Sequence, residues 1–399
     1  MDSRALPLIV AAPDSFKGSC SAEEAAEAML RGARQVFGER AEYRSAPLAD
    51  GGEGTLDALL AVWGTPERSV EVRDALGRPR SGRYALSVDG RTALIESAEA
   101  NGLPWVADVA LRPLDADTRG VGALVSAALR DGAEELLLCL GGSATSDGGT
   151  GLLSALGARF LDADGEPVAP GAAGLARITS VDASGIDPAA RAARWRIALD
   201  VDNPLVGARG AAEVFGPQKG ASPEDVRVID AGLGQLARVL AAHRGIEPEA
   251  YLDRPGFGAA GGIALACVAL LDAETLPGGE LVSAAVGLPD ILRDAALVLT
   301  GEGQLDSQSL GGKVVDLVLG TAPAGVPVAV IAGSVRLSAA ECRAAGIAHA
   351  RSLATGPDPL EELLRTAEIR IEDAAAQVCQ ALATPAPIPF PAVSAPDAS

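Results

Sequence analysis

The chain has 399 residues, 48% hydrophobic and 22% charged, so it carries enough apolar side chains for a sizeable folded core. One hydrophobic core rarely serves a chain of this length, which therefore predicts two domains. The formal net charge of −20 disfavours nucleic acid and anionic membrane surfaces as partners, because both would repel the protein.

The five cysteines show no CxxC spacing, and the two histidines, His243 and His349, lie outside every motif described below. This composition argues against a structural zinc site and against a Ser-His-Asp triad, and it predicts reduced thiols in the cytoplasm. The apolar segment 6–12 is short and runs into Pro13, as expected for a first strand rather than a signal peptide. No apolar run is long enough to predict a membrane span.

Strands and helices alternate in the N-terminal third. Strands are predicted over 6–12 and 43–48, each followed by a helix, over 21–36 and 53–63. The first of these helices opens with a capping-box pattern, in which Ser21 precedes Glu24 by three residues. Such an alternation is typical of an α/β domain with a parallel sheet.

Shorter alternating segments follow, and the first pattern returns near residue 295. Strands are predicted over 69–73, 83–88, 92–96, 135–140, 195–200, 295–299 and 326–332, and helices over 119–130, 149–156, 223–243, 261–271, from about 309, over 338–345 and over 361–383. The simplest account is a discontinuous α/β domain with a parallel sheet, 1–75 and 295–383, with a second α/β domain, 76–294, inserted into it. The tail 384–399 is rich in Pro, Ala and Ser and is predicted to be disordered.

Lysine is rare in this chain, which has only Lys17, Lys219 and Lys313 against thirty arginines. Each lysine lies next to a glycine. A compact ammonium on a flexible stem suits a phosphoryl group or a carboxylate where the larger guanidinium does not fit. The alternative is chance survival of surface lysines, which is less attractive because all three share the same neighbour.

Two loops follow the first two strands. Asp14-Ser15-Phe16-Lys17-Gly18 stands at the carboxyl end of the first strand and before a helix, where open α/β sheets bind anions. In the second loop, 49–55, Asp50 and Glu53 lie among glycines and could hold Mg²⁺ or a substrate hydroxyl. An ordinary turn at Asp14, or a helix N-terminal role for Glu53, is the alternative.

The segment 140–151 carries the strongest motif, with five glycines and four hydroxyl side chains in twelve residues. It follows a buried strand and precedes a helix, so its amides and hydroxyls predict a phosphate site. It is neither a Walker A loop, which needs a terminal lysine, nor GxGxxG. The nucleotide-binding candidates are Gly141, Gly142, Ser143, Thr145, Ser146 and Asp147, together with Ser15 from the first loop.

Two further segments place carboxylates after strands. Asp200 closes the strand that begins near Trp195, where it could accept a substrate proton or orient a metal, although Asp-Asn-Pro is also a common turn. Glu302 and Asp306 follow the strand 295–299 in a glycine-containing loop that leads to Lys313. Glycine-rich loops, carboxylates and lysines without histidine predict phosphoryl transfer, which depends on positioning, Mg²⁺ and charge neutralisation.

These segments resemble the bacterial type I glycerate kinase family. The similarity lies in 14–18, 49–55, 141–151, 200–205 with 215–220, and 300–313, which occur in the family's order and cover roughly 6–383. The resemblance implies an ATP-dependent kinase that phosphorylates D-glycerate, most often at the 2-hydroxyl. It also implies two α/β domains, the larger of which is inserted into a flavodoxin-like or Rossmann-like parallel-sheet domain, with the active site in the interdomain cleft.

We assign roles on this basis as expectations. Asp200, Lys17 and Lys313 are the catalytic candidates, with Asp200 orienting or deprotonating the glycerate hydroxyl. The substrate-binding candidates are Asp50, Glu53, Glu302, Asp306 and Lys219, and the candidate Mg²⁺ ligands are Asp50, Asp147 and Glu302. The alternatives are phosphorylation at the 3-hydroxyl, a kinase for another small hydroxy acid, and a non-catalytic two-domain sensor of an anionic metabolite. A pure anion sensor has no use for so many carboxylates in its loops.

Overall fold

The structure is a computed structural model that describes residues 6–354, 356 and 359–383. The tail 384–399, predicted to be disordered, lies outside the described residues. The β-strands are β1 (Leu8–Ala11), β2 (Glu42–Ser45), β3 (Arg68–Arg73), β4 (Pro79–Leu86), β5 (Thr92–Glu96), β6 (Glu135–Cys139), β7 (Arg159–Leu161), β8 (Ser180–Asp182), β9 (Arg194–Leu199), β10 (Glu274–Pro277), β11 (Ala295–Leu305), β12 (Val328–Val335) and β13 (Ile347–Ser352).

The α-helices are α1 (Ala22–Phe37), α2 (Thr55–Trp63), α3 (Ala98–Asn101), α4 (Arg119–Arg130), α5 (Thr150–Ala155), α6 (Pro188–Ala192), α7 (Ala211–Phe215), α8 (Pro223–Arg244), α9 (Glu249–Leu252), α10 (Ile263–Leu271), α11 (Gly278–Val286), α12 (Leu288–Leu292), α13 (Val314–Thr321), α14 (Ala339–Ala344), α15 (Leu360–Arg365) and α16 (Ala367–Ala383). Short 3₁₀ helices occupy Gly38–Arg40, Leu103–Val106, Ala172–Arg177, Pro217–Lys219, Ala259–Gly261 and Ser307–Leu310. Within the described part of the chain, none of the helices combines the length and the apolar character needed to cross a bilayer.

The chain divides into two compact units. The first contains the residues up to Asp50, Asp57–Val62 and the residues from Val282 onward, and the second contains Gly51–Leu56 and Trp63–Leu281. The second unit is therefore inserted into the first along the sequence. The bounds 76–294, given above for the inserted domain, stay a prediction.

The first unit is built on a five-stranded parallel sheet in the order β13-β12-β11-β1-β2. Numbered along the chain within this sheet, its strands follow the order 2-1-3-4-5, which is that of flavodoxin-like folds. Helices α1 and α16 cover one face, where Gly32 permits a close approach, since a Cβ there would lie 2.8 Å from the Cβ of Ala375. The predicted flavodoxin-like class is confirmed for this unit.

The second unit contains a six-stranded mixed sheet in the order β10-β9-β6-β5-β4-β3, with a separate β7-β8 hairpin. Strands β5, β6, β9 and β10 run parallel to one another. Strand β4 pairs antiparallel with β5, and β3 pairs antiparallel with β4. Its core includes Leu138, Trp195 and Ile197 from the strands and Leu236 from α8. Because the four parallel strands end at one edge, the segments that follow β5, β6, β9 and β10 meet there.

Several local predictions are confirmed and several are wrong. Strand β5 and helix α4 have the predicted bounds, and α1 begins with the predicted capping box between Ser21 and Glu24. Strand β11 continues through Thr300 to Leu305, where a loop was expected, because this segment pairs with β12. The single closing helix predicted over 361–383 is two helices, α15 and α16, separated at Thr366.

Candidate active site

The first unit gathers carboxylates where β1 ends beside β11. The N–H of Asp14 donates to the carbonyl of Gly301 at 2.9 Å, which extends the β1–β11 pairing beyond β1. The N–H of Leu48 donates to the carbonyl of Pro13 at 2.9 Å, so the segment leading to Asp50 runs beside the same strand end. Ligands of doubly wound sheets bind at this topological switch point.

The carboxyl groups at this edge favour the binding of a cation or the sharing of a proton. Burial, and then the neighbouring carboxylate of Asp50, raise the pKa of Asp14 to about 7, while Lys17 acts in the opposite direction. Burial also raises the pKa of Glu302, against the effect of Lys313. The carboxyl groups of Asp14, Asp50 and Glu302 therefore influence one another at this edge.

The two predicted catalytic lysines of this unit are exposed, so their ammonium groups are accessible to a ligand. Lys17 follows the Asp14 turn, in which the N–H of Ser15 donates to Asp14 Oδ1 at 2.6 Å. Lys313 is the N-cap residue of α13, and its side chain makes no capping hydrogen bond. The charge of Lys17 acts on Asp14 and that of Lys313 acts on Glu302, so each lysine accompanies one half-buried carboxyl group.

Asp306 has a structural explanation. Its Oδ1 accepts from the N–H of Gln308 at 2.9 Å, and its Oδ2 accepts from the amide of Gln304 at 2.7 Å. These bonds cap the 3₁₀ helix that precedes Lys313 and lower the pKa of the carboxyl. A direct substrate contact is not needed to account for Asp306.

The residues present fit a magnesium ion bound together with substrate phosphates. Glu302 Oε1 is buried and has no hydrogen-bond partner among the described residues, and the charge of Asp50 contributes to the raised pKa of Glu302. Within residues 6–354, 356 and 359–383, no group of three or more potential ligands is arranged to hold a metal by itself. Mg²⁺ in kinases usually takes only one or two protein carboxylates and completes its shell with phosphate and water.

In the second unit, Asp147 organises the glycine-rich loop after β6. It is fully buried, and its Oδ2 accepts from the N–H and the hydroxyl of Thr118, both at 2.9 Å, and from the N–H of Gly151 at 3.0 Å. Its Oδ1 accepts from the N–H of Gly149 at 3.1 Å. Burial raises the pKa of Asp147, while these hydrogen bonds oppose the rise. A carboxylate saturated by the protein itself is a poor candidate for a Mg²⁺ ligand or a phosphate contact.

Two further residues hold this loop from below. Asn101, at the end of α3, donates from Nδ2 to Thr145 Oγ1 at 2.9 Å, and its carbonyl accepts the N–H of Ala144 at 2.8 Å. Lys219 is 3% exposed and donates from Nζ to the carbonyl of Thr145 at 2.6 Å and to Ser143 Oγ at 3.3 Å. Lys219, predicted to bind substrate, is thus buried against the loop, and both of these bonds go to the loop itself.

The same loop carries unused backbone donors. Among the described residues, no hydrogen-bond acceptor is found for the amides of Gly141, Gly142, Ser143, Thr145, Ser146 and Asp147. Residues 143–147 are buried, and buried N–H groups without partners are rare in folded proteins. The buried hydroxyl of Ser146 also lacks a partner in the described chain. This loop therefore presents unsatisfied donors, as an anion site requires.

Asp200 lies at the shared strand edge, immediately after β9. It is exposed, and its Oδ1 accepts the N–H of Gly278 at 2.9 Å, just after β10. Gly51 packs close to it, since a Cβ there would lie 3.2 Å from Asp200 Oδ2. By contrast, Asp202 pairs with Arg209 at 2.8 Å, which fits a structural role in the turn.

The loop around Gly52 lies next to the glycine-rich loop of the same unit. A Cβ on Gly141 would lie 3.3 Å from Gly52 Cα and 3.5 Å from the backbone nitrogen of Glu53. A side chain at 141 would therefore make an unusually tight contact with the backbone at Gly52. The side chain of Glu53 is exposed, so it remains available for the predicted substrate contact.

Sequence reasoning missed three residues that shape these sites. Asp14 was treated only as part of a loop, although a carboxylate shortly after the end of a buried strand is a signal in itself. Asn101 and Thr118 give weaker signals, because their partners, Thr145 and Asp147, are 44 and 29 residues away in sequence. The polar residues that follow β5 nevertheless indicated that this segment also contributes to the site at the strand edge.

Comparison with known proteins agrees with this α/β architecture and its phosphate-type loop. The model of the glycerate kinase family matches residues 9–383. The glycerate kinase of Bacillus subtilis (strain 168) is 42% identical over 380 residues, covering 94% of this chain and 97% of the relative. The glycerate 2-kinase of Escherichia coli (strain K12) is 41% identical over 384 residues, covering 94% and 98%.

A solved structure is also similar. The crystal structure of the "putative glycerate kinase 2" from Salmonella typhimurium LT2 superposes with a TM-score of 0.85 at 41% identity, covering 95% of this chain and 99% of that one. The chain is thus a two-unit α/β kinase. It belongs to the glycerate kinase family, as the resemblance of its motifs predicted.

Proposed function

We propose that this enzyme transfers the γ-phosphoryl group of ATP to the 2-hydroxyl of D-glycerate, giving 2-phosphoglycerate and ADP. The Escherichia coli relative is named a glycerate 2-kinase, which supports the 2-position. The observation that carries the proposal is the set of unpaired amides in the loop after β6, since a nucleotide phosphate supplies the acceptors that they lack.

The nucleotide phosphates are assigned to this loop. Its amides at 141–143 and 145–147 act as donors, and the hydroxyls of Ser143 and Ser146 add to them. Asp147 and Asn101 hold the loop from inside, so little of its conformation has to be ordered when the nucleotide binds. Thr145 contributes through its backbone, because its hydroxyl is taken by Asn101.

Transfer breaks the bond between the γ-phosphorus and the β,γ-bridging oxygen and forms a bond from that phosphorus to O2 of glycerate. The proton of the 2-hydroxyl passes to a carboxylate, for which we retain Asp200. Its position directly after β9 and its bond to the Gly278 N–H provide a rigid mount. The exposed Asp200 side chain can then release the proton to solvent.

Lys17 and Lys313 neutralise the negative charge of the transferred group or of the substrate carboxylate. Glu302 and Asp50 are the residues proposed to hold Mg²⁺, because Glu302 has a buried oxygen without a partner and Asp50 acts electrostatically on it. When bound, Mg²⁺ would reduce the charge on the β- and γ-phosphates. Asp147 is not proposed as a Mg²⁺ ligand, because both of its oxygens already accept hydrogen bonds from protein groups.

A coupled assay of ADP release with D-glycerate tests the proposal, and phosphorus NMR of the product identifies the phosphorylated carbon. The expected product is 2-phosphoglycerate. A 3-phosphorylated product, or faster turnover of another small hydroxy acid, would replace the proposed regiochemistry or substrate. ATP binding without ADP release in the presence of any hydroxy acid would favour the non-catalytic sensor.

We also propose a cytoplasmic location, with ATP and glycerate as the only partners required for the reaction. All five cysteines are free and buried, which suits a reducing compartment.

A further inference from the structure

The buried ammonium of Lys219 has no direct access to a substrate. It is 3% exposed, and two of its three N–H groups are already donated, to the carbonyl of Thr145 and the hydroxyl of Ser143. No ion pair of Lys219 exists among the described residues, and the only charge found to act on it is that of Asp147. Burying such a charge is costly, and an apolar side chain of similar size would usually be more stable.

The contact with Thr145 fixes the orientation of one peptide group. In a trans peptide, the carbonyl of one residue and the N–H of the next point in opposite directions, and no cis peptide is found in the described chain. The Thr145 carbonyl points towards Lys219, so the N–H of Ser146 points away from it. That N–H is one of the unpaired donors of the loop.

A cation next to a carbonyl also polarises the peptide. The ammonium withdraws electron density towards the Thr145 oxygen, which makes the Ser146 N–H a stronger donor. The Gly220 turn brings the lysine into this position, since its φ of 86° is in the left-handed region. A Cβ at Gly220 would lie 2.6 Å from the Cβ of Leu111, so the chain must turn here with glycine.

We propose that Lys219 is a positioning residue, which aims and polarises the Thr145–Ser146 peptide so that the Ser146 N–H binds a nucleotide phosphate. This inference rests on the proposed function of the loop. It predicts that Lys219 governs affinity for the phosphates of the nucleotide and leaves affinity for its nucleoside part, and for glycerate, unaffected.

The test compares Lys219→Met with the full-length wild type by calorimetry, using ADP and adenosine as probes. ADP affinity should fall roughly 10- to 100-fold, as for the loss of a charge-assisted hydrogen bond, while adenosine affinity and the KM for glycerate stay the same. The matched control is Trp195→Phe, which removes another buried side-chain bond to a carbonyl, Trp195 Nε1 to Ala190 at 2.8 Å. It should lower the melting temperature and leave ADP affinity unchanged.

A second measurement needs no variant. ADP affinity of the wild type should decline above about pH 8 relative to adenosine affinity, because burial lowers the pKa of Lys219 to about 8. Burial raises the pKa of Cys267 to about 12, so this thiol keeps its proton across that range. Burial also raises the pKa of Asp147, but loss of its proton would add negative charge next to the ammonium and so cannot mimic the loss of the Lys219 charge.

Unchanged ADP affinity in a folded Lys219→Met variant would overturn the inference, as would an equal loss for ADP and adenosine, or a raised KM for glycerate alone. If the variant does not fold, a wild-type ADP affinity that stays constant while the ammonium of Lys219 loses its proton, as followed by nitrogen NMR of the lysine side chain, would overturn it. Absence of glycerate phosphorylation by the wild type would instead count against the proposed function, so the two failures are distinguishable.

Discussion

The carboxylate of Asp147 accepts both the N–H and the hydroxyl of Thr118 at 2.9 Å, across 29 residues of sequence. The hydroxyl of Thr118 in turn accepts the N–H of Leu152 at 2.8 Å. This pair ties the start of α4 to the glycine-rich loop and the start of α5. The loop is therefore held in shape before any nucleotide binds.

Replacing Asp147 by Asn should destabilise the protein by about 1–3 kcal/mol, because asparagine keeps only one acceptor oxygen and turns its NH2 group towards a buried N–H, such as that of Gly149, which then has no acceptor. Urea unfolding measures the change. Asp202→Asn is the matched control: its exposed pair with Arg209 contributes little, so the free energy of unfolding should hardly change. If Asp147→Asn kept wild-type stability but required much more Mg²⁺ for activity, the metal-ligand role predicted from sequence would be restored.

Sequence could predict this loop but not the role of its aspartate. Glycines and hydroxyls after a strand are a local signal, and the loop lies where they placed it. The burial of Asp147 depends on Thr118, which no local pattern connects to it. The position of Lys219 is another tertiary property. The glycine that follows it was visible in the sequence, but its contact with the glycine-rich loop was not.

The same distinction applies to the fold. Strand β5 and helix α4 were predicted with their bounds, because hydrophobic spacing marks both. The extension of β11 was missed, since Gly301 and Gly303 are typical of a loop. Yet Gly301 pairs with Ile331, and the carbonyl of Ile331 lies where a Cβ of Gly301 would be, so this glycine serves strand packing. Strand β13 was missed because it is a half-exposed edge strand with His349 and Arg351.

Asp200→Asn tests the proton acceptor. Asparagine keeps an oxygen for the Gly278 N–H but cannot accept the substrate proton. We expect kcat for D-glycerate to fall by roughly 10²- to 10⁴-fold, the usual scale for losing a general base. The affinity for ATP should change little. Steady-state kinetics and calorimetry give the two quantities. Retained turnover would transfer the role to Asp50 or Asp14, whereas lost ATP binding in a folded variant would make Asp200 a nucleotide or Mg²⁺ contact.

Lys17→Arg and Lys313→Arg test the lysines of the first unit. Both side chains are exposed, so the substitutions should leave the fold intact. We expect kcat/KM to fall by about 10²-fold in each, equivalent to ~2.7 kcal/mol, because guanidinium differs from ammonium in size and geometry. Arg227→Lys, on the exposed side of α8, is the control and should behave as wild type. Normal kinetics in both lysine variants would show that the rare lysines do not mark the site.

The last prediction concerns stability and pH at Lys219. Burial lowers the pKa of Lys219 in the folded protein to about 8, from an ordinary value of 10.5. Between these values the unfolded chain holds the proton and the folded protein does not, so unfolding binds a proton and stability rises with pH. The cost of the buried charge is fully present below pH 8 and is relieved above it. Relative to Lys219→Met, the wild type should therefore gain about 2 kcal/mol between pH 8 and pH 10. Urea unfolding of both proteins across this range measures the gain, and other titrating groups cancel in the comparison. If the difference in free energy of unfolding between the two proteins stayed constant with pH, Lys219 would keep its proton throughout. If the wild type instead lost stability relative to Lys219→Met as the pH rises, the pKa of Lys219 would be raised by folding.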